Sequence, residues 1–165
     1  MKMLKKSLLL LAGLPLLALA GGNHAGGHDH AHAHAHEAAA SSPAGQPGNP
    51  AKVSRTIQLV MDDSMRFTPD NVAVKAGETV RFLVRNKGKL AHEMVIGPMD
   101  ELKAHAEMMR SMPDMQHAEP NMLTLKPGQR GALVWQFGPP GTVDFACLVP
   151  GHMEAGMAAK VQVGP

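Results

Sequence analysis

Beyond position 50 the chain alternates between apolar and polar residues. Val53, Arg55, Ile57, Leu59 and Met61 share one parity, and all but Arg55 are apolar. Val80, Phe82 and Val84 alternate with Thr79, Arg81, Leu83 and Arg85, residues 132–137 and 142–146 behave similarly, and Val161 and Val163 share one side near the end. A period of two turns one side of a strand to a core and the other to water, so these runs predict half-buried β-strands. Turn signals separate them at Thr68-Pro69-Asp70-Asn71, Ala76-Gly77, Lys87-Gly88, Pro127-Gly128 and Pro139-Pro140-Gly141. About seven or eight short strands at such spacing predict an all-β sandwich or barrel. A domain of about 115 residues, Ala51 to Pro165, is long enough to bury one core. Within it, an insert at about 98–121 breaks the alternation. It is rich in methionine, and Asp100 to Ser111 has helical character that Pro113 ends.

The first 50 residues have a different composition. Lys2, Lys5 and Lys6 precede an apolar run from Leu8 to Leu19, and Ala18-Leu19-Ala20 has the small-x-small form of a cleavage site. This is the pattern of a secretory signal, 1–20, cleaved after about Ala20. The run is short and interrupted by Gly13 and Pro15, whereas a spanning helix needs about 20 apolar residues. The only cysteine is Cys147, so no lipid-accepting thiol follows the signal, and no stable membrane anchor is expected. Residues 21–50 are rich in Gly, Ala, His, Ser and Pro, which favours a disordered leader. The full chain carries 16 basic and 14 acidic residues. With the three signal lysines removed, 13 face 14, and no clustered basic face suggests nucleic acid as a partner.

The lone cysteine changes the picture most. Export would carry it into an oxidising compartment, where a free thiol risks pairing between chains. Cys147-Leu-Val-Pro-Gly-His152-Met-Glu-Ala-Gly-Met157 offers a reason for it. The segment lies between two predicted strands, and Pro150, Gly151 and Gly156 supply bends that let Cys, His and Met converge. A thiolate and two imidazoles in a plane, with a weak axial thioether, make a blue-copper site that holds both oxidation states. A structural zinc site usually takes four Cys or His ligands. The second imidazole is best supplied by His92, which starts the strand-like run Glu93 to Ile96. Met153 is a rival sulfur for the axial place, but it directly follows His152.

Met65-Arg66-Phe67-Thr68-Pro69, Val74 to Val80, Ala91-His92-Glu93 and the Cys147–Met157 loop together resemble the cupredoxins over nearly all of 51–165. The ligand spacing is similar to that of rusticyanin-type members, and the His-rich leader and His92-Glu93-Met94 resemble CopI-type cupredoxins. The resemblance implies a periplasmic Greek-key β-sandwich with one type 1 copper on His92, Cys147, His152 and Met157, and a role in surviving excess copper. Many cupredoxins carry Asn or Ser where this chain has Glu93.

Two further segments suit metals. His24, His28, His30, His32, His34 and His36 form an imidazole-rich leader, where Cu(II) is favoured by the affinity order. In the insert, Met108, Met109, Met112 and Met115 offer thioethers for Cu(I), although such a stripe equally packs a helix onto a sheet. Copper binding and buffering would use all three regions. A single-electron carrier, docking on an unidentified redox or copper-handling protein, would use only the type 1 site. Multicopper oxidases need further His-x-His clusters, and His92, His105, His117 and His152 do not provide one. No catalysis is therefore expected, with cuprous oxidation at the type 1 site the residual enzymatic reading.

Overall fold

The computed structural model describes residues 42–112 and 117–165. Ten strands follow one another: β1 (Gln46–Pro47), β2 (Arg55–Asp62), β3 (Arg66–Thr68), β4 (Asn71–Lys75), β5 (Thr79–Asn86), β6 (His92–Gly97), β7 (Met122–Leu125), β8 (Arg130–Gln136), β9 (Gly141–Ala146) and β10 (Ala158–Gly164). A helix, α1 (Met99–Ser111), lies between β6 and β7. The strands form two five-stranded sheets, ordered β1-β8-β5-β2-β3 and β4-β10-β9-β6-β7. β2 runs parallel to β5 and β10 parallel to β4, and the other pairings are antiparallel. The result is the expected all-β Greek-key sandwich with a helical insert.

The period-two runs bury the faces they predict. Val80, Phe82 and Val84 of β5, Leu59 and Met61 of β2 and Leu133 and Trp135 of β8 meet Met94, Ile96, Val143, Phe145, Val161 and Val163 of the other sheet in one core. Phe145 stands edge-on to Phe67 with centroids 4.9 Å apart, and lies 6.4 Å from Phe82. Burying each such side chain contributes about 1.5–3 kcal/mol relative to exposure.

Folded chain begins before Ala51. Ala44 is buried, its carbonyl accepts the Trp135 indole N–H at 2.8 Å, and β1 pairs with β8. Composition placed residues 42–50 in the leader because they carry few large apolar side chains. Their attachment runs through backbone pairing and one indole, which side-chain patterning does not register. The signal segment and His24, His28, His30, His32, His34 and His36 lie outside the described residues. Among the described residues, no helix is long and apolar enough to cross a membrane.

Helix α1 occupies most of the predicted insert. Asp100 and Glu101 in its first turn and Arg110 in its last complement the helix dipole. Leu102 and Ala106, one turn apart, are buried against Val95, Ala146 and Leu148. The helix thus covers the end of β9 from which the Cys147 loop departs, and Arg110 pairs with Glu154 of that loop.

Candidate metal centre

Strand pairing brings the separate parts of the site together. β6 and β9 are adjacent and antiparallel with Val95 opposite Ala146, so His92 at the start of β6 lies beside the exit of β9, where Cys147 follows. β9 and β10 pair with Ala158 opposite Ala146, and the Cys147 N–H donates to the Met157 carbonyl at 3.0 Å. Residues 147–157 are therefore a loop closed at its base by the sheet. Inside it, the N–H groups of His152, Ala155, Gly156 and Met157 donate to the carbonyls of Val149, Gly151, Met153 and His152. Gly156 has φ +98°, and a Cβ there would come within 2.6 Å of an Arg66 nitrogen. Arg66, from β3, uses that nitrogen to hold the Ala155 carbonyl at 3.0 Å.

The donor atoms of His92, Cys147 and His152 all lie within 4.8 Å of one another. Cys147 Sγ is 3.3 Å from His152 Nδ1, and the two imidazole centroids are 4.9 Å apart. His92 and Cys147 have no exposed surface, and His152 keeps 8 % of its own. Met157 is fully buried in the same core cluster as Cys147, whereas Met153 packs with the helix-side cluster around Leu102 and Leu148. The two sulfurs that the sequence left as rivals are thus separated, with Met157 on the cysteine side.

Each donor is prepared by its surroundings. Burial pushes the Cys147 thiol up to about 11, opposed by backbone N–H groups of Glu93 and Val149 that point at the sulfur. The Glu93 N–H reaches Sγ at 3.2 Å. Those donors suit a thiolate, and a bound positive ion beside the sulfur would supply the rest of the charge compensation. Burial, and then the neighbouring His92, hold the His152 imidazole below its ordinary value, which keeps it neutral with a lone pair to give.

His92 is oriented by Asp63. Its Nε2 lies 3.1 Å from Asp63 Oδ1, and the same carboxylate accepts the Lys89 N–H at 2.7 Å and the Leu90 N–H at 3.2 Å. The Lys89 N–H, and next the His92 contact, hold Asp63 below the usual carboxylate value. An ionised Asp63 fixes the proton on Nε2 and leaves the Nδ1 lone pair free. That Nδ1 is buried and has no hydrogen-bond partner among the described residues. Parallel pairing of β2 with β5 sets Met61 beside Asn86, so the turns that follow the two strands are neighbours. Gly88 completes the fit, since a Cβ there would lie 2.0 Å from Asp63 Oδ1.

Asp63 was not legible in the sequence. It stands 29 residues before His92 in an ordinary polar turn, and only the parallel register joins them. Glu93 acts through its backbone N–H, while its carboxylate accepts from Thr124 Oγ1 at 3.1 Å. Met108, Met109 and Met112 lie at the end of α1, with Met108 and Met112 exposed. Met115 lies outside the described residues.

One buried cysteine grouped with two histidines at the end of a β-sandwich, with an unpartnered imidazole nitrogen among them, fits a soft ion that takes mixed sulfur and nitrogen ligands. That donor set defines a type 1 copper protein. The chain belongs to the copper binding proteins of the plastocyanin/azurin family, whose pattern it matches over residues 55–164. It is 49 % identical over 143 residues to the copper-resistant cuproprotein CopI of Rubrivivax gelatinosus, covering 87 % of this chain and 82 % of that one. It is 37 % identical to the protein of the same name from Vibrio cholerae, over 74 % of this chain and 73 % of that one. Among solved structures, auracyanin B superposes with a TM-score of 0.62 at 23 % identity, covering 76 % of this chain and all of that one. The reduced auracyanin of Roseiflexus castenholzii gives 0.59 at 22 % identity, over 68 % of this chain and 99 % of that one. The cofactor is copper, and the cluster is suited to one type 1 ion.

Proposed function

We propose that His92, Cys147, His152 and Met157 would hold the copper ion, and that the chain works in copper tolerance by binding and buffering copper in the periplasm. The observation that carries the ligand set is His92 Nδ1, buried, without a partner, and grouped with Cys147 Sγ and the His152 ring. When bound, copper supplies a one-electron couple. The protein contributes the fixed positions of the donors, the N–H groups on the sulfur and the exclusion of water.

The tolerance role is supported by the curated relatives, which are named for copper resistance. In this reading residues 1–20 direct export, residues 51–165 with their N-terminal extension form the cupredoxin domain, and the histidines from His24 to His36 add capacity for Cu(II). The protein is not an enzyme in this role. Deleting its gene from a host should sensitise cells to copper, and a copy carrying Cys147→Ser should fail to restore growth where the wild type succeeds. Equal rescue by the variant would sink the assignment.

A second reading, a single-electron carrier, is favoured by one observation. The three donor atoms are already within 4.8 Å of one another, so little rearrangement separates the oxidation states. His152, at 8 % exposure, would be the point of contact with a redox partner. Removal of residues 21–41 separates the two readings. Loss of tolerance with an unchanged visible spectrum supports buffering, and unchanged tolerance supports the carrier.

A further inference from the structure

The insert contains a second meeting of metal-binding side chains. His105 of α1 and His117, beyond its end, place their Nε2 atoms 2.7 Å apart, with ring centroids at 4.8 Å and planes inclined by 35°. As a hydrogen bond the pair uses the Nε2–H of one ring and the Nε2 lone pair of the other. Among the described residues, His117 Nδ1 is in addition buried without a partner. Leaving such a group unsatisfied costs about 1–3 kcal/mol, a poor return for fastening one short segment. With the proton of each ring on Nδ1 instead, both Nε2 lone pairs would face one point, as a chelate requires. Two metal–nitrogen bonds of about 2.0 Å at a tetrahedral angle span about 3.3 Å, so a small opening of the pair admits an ion.

A third donor lies nearby on the helix. Met109 is four residues after His105, which places it one turn further along the same face, and both are half-buried. A thioether selects Cu(I), and imidazole accepts it. Structural zinc normally takes four Cys or His ligands, and this group has two histidines. We propose that His105, His117 and Met109 form a second, cuprous copper site on the insert. It shares no ligand with the Cys147 centre and does not depend on the assignment made there.

The test is a Cu(I) titration of the full chain under anaerobic conditions against a chromophoric Cu(I) chelator. Wild type is compared with the double variant His105→Ala/His117→Ala and with Met109→Leu. The histidine leader is present in every sample, so its contribution cancels. The expected result is one fewer Cu(I) equivalent bound by the double variant. Its thiolate-to-copper visible band after Cu(II) loading should be unchanged, which also shows that the domain is folded. Met109→Leu should surrender the ion at a lower chelator concentration than wild type. Should the double variant not fold, His117→Gln alone, outside the helix, is read in the same way. Equal Cu(I) stoichiometry in wild type and a folded variant overturns the proposal, as does a site that takes Zn(II) in preference to Cu(I). Loss of the visible band in wild type would instead count against the Cys147 assignment and leave this one standing.

Discussion

Asn86 ends β5 and is fully buried. Its Nδ2 donates to the Leu90 carbonyl at 2.7 Å and the Leu125 carbonyl at 3.0 Å, and its Oδ1 accepts the Gly88 N–H at 2.8 Å. One side chain therefore ties the 87–91 turn to itself and joins β5 in one sheet to β7 in the other. The same turn presents Lys89 and Leu90 to Asp63, and so fixes His92. Asn86→Ala removes three hydrogen bonds. At about 1 kcal/mol each the net loss is about 3 kcal/mol, the Leu125 carbonyl being the group that water reaches least. At about 4 °C per kcal/mol for a domain of this size, Tm should fall by about 12 °C. The assay is thermal unfolding of the copper-free proteins, since bound copper adds a mass-action term to both. Trp135, the only tryptophan and nearly buried, reports the transition. Asn86→Asp should be worse than Ala at neutral pH, because it replaces the donor with a charge facing two carbonyl oxygens. A fall in Tm under about 3 °C, or an Asp variant as stable as wild type, would refute the reasoning.

Asp63→Ala removes the acceptor that fixes the His92 tautomer, and should lower copper affinity by about 10–100-fold, measured by chelator competition. Asp63→Asn retains an acceptor oxygen and should fall between. Glu78 gives a pH signature. Burial would raise its carboxyl, but the Lys75 N–H, Arg55 and Ser54 outweigh this and hold it below the ordinary 4.5. A lowered folded value means the stabilisation is present above 4.5 and lost as pH falls through the folded value. Glu78→Gln should therefore cost about 1 kcal/mol at pH 7, a figure kept low because Arg55 is about half exposed. The deficit should vanish in strong acid, as read from urea unfolding at several pH values.

The parts of the fold readable in sequence are those where a local pattern carries the information. Val80-Phe82-Val84 and Val161-Val163 announce their buried faces by alternation, and β5 and β10 bury those residues. The 147–157 loop is readable as one connection between paired strands, which holds Cys147, His152 and Met157 together. β3 has three residues and β1 two, too few for a period to register. Asp63 and Asn86 act through contacts made by the parallel β2–β5 register and by the approach of two sheets, which no window of sequence contains. The insert was readable as a helix. The meeting of His105 with His117 depends on how the chain returns after α1.

The most direct test of the Cys147 centre is the visible absorption and electron paramagnetic resonance spectrum of the protein with one equivalent of Cu(II), beside Cys147→Ala. An intense thiolate-to-copper band with a type 1 resonance, both lost in the variant, is the expected result. A pale spectrum unchanged by the substitution would contradict it and place the copper on histidines outside the sandwich.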